Sequence, residues 1–185
     1  DSQIISSNFT NNEANENGGA IALKATSVNI TDSWFDNNKA HNGGALYEAG
    51  NISDNYVFTS KFTNNKVEKG YGGAIDWVAS AGHIEGSYFD NNEADYGGAL
   101  YLGGQASETK VINVTFVNNK AAHNGGAMES NATKVYLTDT FFINNEAEFG
   151  AALCREIGAT GGYGYNNTFI KNTASKGGAA LAWLG

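Results

Sequence analysis

The sequence has no proline, one cysteine and one methionine in 185 residues. Charged residues are scarce at 16%, and 11 basic side chains face 19 acidic ones. Each shortage excludes something. A lone Cys154 cannot close an internal disulfide, and in a secreted setting it would be free or joined to another molecule. No run of 18 apolar residues exists, so no segment is expected to insert into a membrane as a helix. A net charge of −8 disfavours nucleic acid and anionic lipid as partners. The chain shows no signal peptide and starts at Asp1 rather than Met, which reads as a processed or excised segment.

Two residue types are abundant instead: 24 Gly and 25 Asn. That excess resembles low-complexity sequence. Hydrophobic residues at 41% and aromatics at 12% argue otherwise, because a disordered chain lacks the apolar area to offset its entropy. The length fits one domain over 1–185, so Gly and Asn need structural positions.

A repeat supplies them. The segment F-x-x-N recurs at Phe9, Phe35, Phe62, Phe89, Phe116, Phe142 and Phe169, in steps of 26 or 27 residues. Its Asn falls at Asn12, Asn38, Asn65, Asn92, Asn119, Asn145 and Asn172. Eight to ten residues after each Phe comes Gly-Gly-Ala, opening at Gly18, Gly43, Gly72, Gly97, Gly125 and Gly177, with Gly150-Ala151-Ala152 as a variant. Five residues before each Phe stand Ile4, Ile30, Val57, Ile84, Val111, Leu137 and Gly164. After the corner Ala come Ile21, Leu46, Ile75, Leu100, Met128, Leu153 and Ala180. This is β alternation broken by turns, with no 3.6-residue period.

A unit of about 27 residues fits one coil of a parallel β-solenoid, with coils stacked ~4.8 Å apart. The predicted fold is all-β: a right-handed, single-stranded parallel β-helix of about seven coils centred on the seven Phe. The Phe column then reads as a buried aromatic stack. The Asn column reads as an amide ladder between coils. Gly-Gly permits positive φ and close backbone approach at a corner. Proline would remove a ladder donor, so its absence fits.

Finer columns follow. Four residues after Phe stand Glu13, Lys39, Lys66, Glu93, Lys120, Glu146 and Thr173, mostly alternating in charge. The distance from corner Ala to the next Phe alternates between 15 and 17 residues. Alternate coils carry an aromatic just before the Phe: Trp34, Tyr88 and Phe141. The true unit is thus two coils, and it sets an aromatic row at roughly 9.6 Å intervals.

The pairing of Phe89-Asp90-Asn91-Asn92 with Gly97-Gly98-Ala99-Leu100, and its six counterparts, resembles the repeats of polymorphic outer-membrane proteins and of adhesin-like surface proteins of bacteria and methanogenic archaea. The resemblance implies a cell-surface β-helix used in adhesion or envelope architecture, without enzymatic activity.

No catalytic constellation emerges from the residues, and no cofactor is implied. Asp36 and Asp90 share a column two coils apart, a span open to an inverting glycosidase pair, but turn-forming Asp is the simpler reading. His41, His83 and His123 occupy no common column with metal spacing. Tyr47, Tyr101, Trp34 and Tyr88 are candidate aromatics for sugar rings or a protein partner. Asn8, Asn29, Asn51, Asn113, Asn131 and Asn166 open glycosylation sequons. Cys154 should point outward after Leu153, as a free thiol or an intermolecular crosslink.

The ends show no distinct cap. From Ala179, six residues lead to Gly185 and nine more to a second copy's Phe9. Those fifteen match one native spacing. The expectation is an extracellular subunit that stacks on itself head to tail into a surface filament or sheath. The alternative is a stalk of a surface adhesin that contacts glycans or host and neighbour-cell surface proteins.

Overall fold

The computed structural model describes residues 2–24, 27–50, 55–78 and 81–184. Among them every element is a strand, and every strand pairing is parallel. The strands form four sheets, three of seven strands and one of six. The result is a β-solenoid of about six full turns. One coil shows the plan: Gly82–Glu85 on the first face, Tyr88–Asp90 on the second, Glu93–Tyr96 on the third and Leu100–Leu102 on the fourth. Each strand bonds to its equivalents one coil before and one coil after.

Three left-handed residues turn each coil. Gly86, Asn91 and Gly97 do so in the fourth coil, at φ 59°, 55° and 61°. The first corner holds Ser6, Asp32, Thr59, Gly86, Asn113, Asp139 and Asn166 in successive coils. The second holds Asn11, Asn37, Asn64, Asn91, Asn118 and Asn144, then Lys171. Asn tolerates this region because its short amide bonds locally. Thr59, being β-branched, is strained there.

The interior follows from alternation. Phe35, Phe62, Phe89, Phe116 and Phe142 are wholly buried. Their rings stack with Phe9 and Phe169 at centroid spacings of 4.7 to 5.1 Å. The aliphatic column Ile4–Ile30–Val57–Ile84–Val111–Leu137–Gly164 is in continuous register. It ends in a glycine, and a cavity of about 460 Å³ opens there, lined by Leu137, Gly164, Phe169, Leu181 and Trp183 among others.

One sequence assignment is corrected. The last corner turns at Gly178, φ 62°, not at Gly177. Gly177 still belongs to the third face and pairs with Phe149. The corner reads Gly178-Ala179-Ala180, and Leu181 pairs with Leu153 in the column where Ala180 was expected. Gly-Gly-Ala-Ala admits both frames. A longer final strand, Thr173–Gly177, selects the second. From Ala180 the join to a second copy's Phe9 spans fourteen residues, one short of the shorter native spacing.

Candidate functional site

Four rows run the length of the solenoid, and each has its own chemistry. The innermost is the Asn ladder. Asn38, Asn65, Asn92, Asn119 and Asn145 are fully buried. In each step one amide makes four hydrogen bonds. Asn92 Nδ2 donates to Asn119 Oδ1 at 2.9 Å and to the Phe62 carbonyl at 3.0 Å. Its Oδ1 accepts from Asn65 Nδ2 and from the Asn65 backbone N–H, each at 3.0 Å. The same set runs from Asn12 to Asn172. A second ladder escaped the sequence reading. Ser7, Ser33 and Ser60 each donate a backbone N–H to the next coil's Ser33, Ser60 or Ser87 hydroxyl at 3.2 Å. Its signal is a Ser two residues before Phe, spaced like the Phe themselves.

The charged column lies exposed on the third face. Lys66–Glu93 and Lys120–Glu146 pair at 3.0 and 3.1 Å. Lys39 and Lys66 are adjacent like charges in this column. Lys39 turns instead to Glu68 at 2.7 Å, from outside the column. On an exposed surface such pairs fix register more than they stabilise.

The aromatic row lies on the second face. Its register is Asn8, Trp34, Lys61, Tyr88, Thr115, Phe141, Thr168. Trp34 and Phe141 are 43% and 42% exposed. Asp36 and Asp90 flank this row, with Thr63 between them in register. Thr63 Oγ1 and Asn64 Nδ2 donate to Asp36 at 2.5 and 2.8 Å, and Asn118 Nδ2 donates to Asp90 at 3.0 Å.

The fourth row is Ala22, Tyr47, Asp76, Tyr101, Glu129, Cys154, Ala182, on the outer side of the fourth face. An outward row should be wet, yet Asp76 is 3% exposed, Glu129 2% and Cys154 0%. Side chains placed just before the corner glycines fold against it. Tyr71 brings its ring to 4.5 Å from Tyr101, and Asn124 donates to Glu156 at 2.9 Å. Asp76 Oδ1 and Glu129 Oε2 are buried without a hydrogen-bond partner among the described residues. Burial pushes the Asp76 carboxyl up to about 7. Burial, then the adjoining Glu156, pushes Glu129 up to about 9. Inside the solenoid, burial lifts Glu48 to about 8 against the opposing pull of the Asn55 amide. These three acids are neutral at mildly acidic pH because burial disfavours the carboxylate and no cation among the described residues offsets it.

The remaining sequence-predicted residues divide as follows. Tyr47 and Tyr101 share a row, separated by Asp76. Burial raises both phenols. Cys154 does face away from the interior, but it is buried, correcting the expectation of an exposed thiol. Burial, reinforced by Glu129 and Glu156, pushes it up to about 12, far from a reactive thiolate. Asn8, Asn113 and Asn166 are exposed, while Asn29 and Asn131 are half-buried. Asn29 Oδ1 is sealed off, and Asn51 lies outside the described residues. His41 and His123 are exposed, and His83 sits 3.1 Å from Glu85. Among the described residues no three His, Cys, Asp or Glu side chains gather as a metal site.

These ladders define a class: a repeat protein whose parallel coils are held by interior amide and aromatic columns. The family model of the Chlamydia polymorphic membrane protein repeat matches residues 6–24 and 113–127. The first match runs through Phe9, Asn12 and Gly18–Gly19–Ala20, the second through Phe116, Asn119 and Gly125–Gly126–Ala127. The chain is therefore similar to that repeat in the residues that build its corners and ladders. No curated protein and no solved structure matches the chain.

Proposed function

We propose that this chain is an extracellular, adhesin-like surface rod, whose stiff coils hold out lateral rows for contact with a partner. The observation that carries this is the repeat match at 6–24 and 113–127 within a stack of continuous ladders. A solenoid stabilised coil on coil makes a spacer rather than a pocket. Antibodies raised against the folded chain should label intact cells of the source organism without permeabilisation, and surface proteolysis should remove the label. Labelling only after permeabilisation overturns the reading.

A second reading, self-assembly into a filament or sheath, rests on the direction of the Asn ladder. Each Asn backbone N–H donates to the next coil's Oδ1. A second copy stacked in the same sense would continue that pattern. Sedimentation that rises with concentration, with filaments by electron microscopy, supports it. A monomer at every concentration excludes it.

A further inference from the structure

We infer that the Trp34–Tyr88–Phe141 row is a binding platform for a neutral, extended β-1,4-linked glycan, a ligand class that deepens the surface-rod reading and rests on it. The three rings occupy alternate coils of one column. With strands ~4.8 Å apart, ring follows ring at roughly 9.6 Å. That is close to the length of one disaccharide in an extended β-1,4-linked chain. Each ring then meets the same face of every second sugar.

The other aromatic surfaces lack this regularity, and Tyr71, Tyr96 and Tyr101 pack on one another. On the first face Tyr56, Phe58 and His83 pack against one another, as do Tyr136 and Tyr163. Their rings are spent on mutual contact. Trp34, Tyr88 and Phe141 make no ring-to-ring contact among the described residues. The Trp34 indole is tied along the sheet, since Nε1 donates to Thr63 Oγ1 of the next coil at 2.9 Å. The spacers between rings are Lys61 and Thr115, side chains that donate to hydroxyls. Lys61 Nζ lies 5.5 Å from the Tyr88 ring centroid on an exposed stem that can swing aside.

A polar rail runs beside the first two rings. It consists of Asp36 and Asp90, with the buried Thr63 between them, and the exposed amides of Asn37, Asn64, Asn91 and Asn118; beside Phe141 the column turns apolar at Val117 and Ile143. Carboxylates and amides are hydroxyl partners. With a net charge of −8, the carboxylates repel sulfated or uronic chains and leave neutral glycans as the fitting class.

The test uses the whole chain, titrated calorimetrically with cellohexaose, chitohexaose and the β-1,3-linked laminarihexaose. Binding to a β-1,4 hexasaccharide, with about tenfold loss in Tyr88→Ala, is expected. The decisive variant moves one ring by a single coil, combining Tyr88→Thr with Thr115→Tyr. It keeps the aromatic count, breaks the spacing and should lose affinity as fully as Tyr88→Ala. Unchanged melting of each variant shows that the fold persists. No binding to either β-1,4 chain, equal binding to laminarihexaose, or full affinity in the moved-ring variant overturns the proposal. Surface labelling of cells is independent of all three results, so the rod reading can stand or fall separately.

Discussion

The Asn ladder and the fourth-face row are both single columns running from coil to coil, yet they are opposites. The ladder repeats one residue, and each copy satisfies its neighbours completely. The row changes residue at every coil, from tyrosine to aspartate, tyrosine, glutamate and cysteine, and leaves two carboxyl oxygens unpartnered among the described residues. A self-complementary residue stabilises by repetition. A mixed column stores groups whose charge state the surroundings decide.

The sharpest way to break the comparison is to interrupt the ladder. Asn92→Leu removes four hydrogen bonds and orphans the Phe62 carbonyl and the Asn65 N–H in the interior. A loss of roughly 3–5 kcal/mol in urea unfolding is expected.

The mixed row, together with Glu48 on the inner side of the same sheet, should respond to pH instead. Asp76, Glu48 and Glu129 ordinarily titrate at 3.8 or 4.5, and here at about 7, 8 and 9. Between the two sets of values the folded chain holds more protons than the unfolded one, so unfolding free energy falls as pH rises. The stabilisation is fully present below about pH 4 for these groups and is exhausted once pH passes their folded values. Thermal melts should show a clear loss of stability between pH 5 and pH 9, because all three groups lose their folded-state protons across that window. Glu129→Gln should flatten part of that slope, with little effect at pH 5 and stabilisation at pH 9. A parent protein equally stable at both pH values would show that the row is wetter than described.

Two smaller effects test where regularity matters. Gly164→Val restores the aliphatic column at an ordinary φ, and its added Cβ meets only the Asn167 amide at 3.2 Å. A gain of about 1 kcal/mol is expected. Gly162→Ala, at φ 83° and against the Val135 backbone, should destabilise. Lys66→Ala removes an exposed pair at 3.0 Å and should shift stability by about 0.5 kcal/mol or less.

What the sequence revealed tracks the same contrast. The Phe, Asn and Gly columns were legible because identity recurs in phase. The Ser ladder was less legible because its identity fails after Ser87: Val114 interrupts it, and Thr140 and Asn167 resume the bonding with other side chains. The burial of Asp76, Glu129 and Cys154 was not legible. It arises from side chains such as Tyr71 and Asn124, which stand just before the corner glycines outside the row and are not one recurring residue type. The last corner was misplaced because Gly177-Gly178-Ala179-Ala180 contains two valid frames, and only strand pairing chooses between them.

The alternation of corner-to-Phe spacing between 15 and 17 residues also bears on how such a rod can lengthen. Duplicating or deleting one coil would place two ring-bearing coils, or two bare ones, side by side and put every later aromatic out of step. Only exchanges of an even number of coils preserve the rhythm. Gene recombination in this rod is therefore expected to proceed in multiples of about 53 residues, a parity rule that allelic length variants would display.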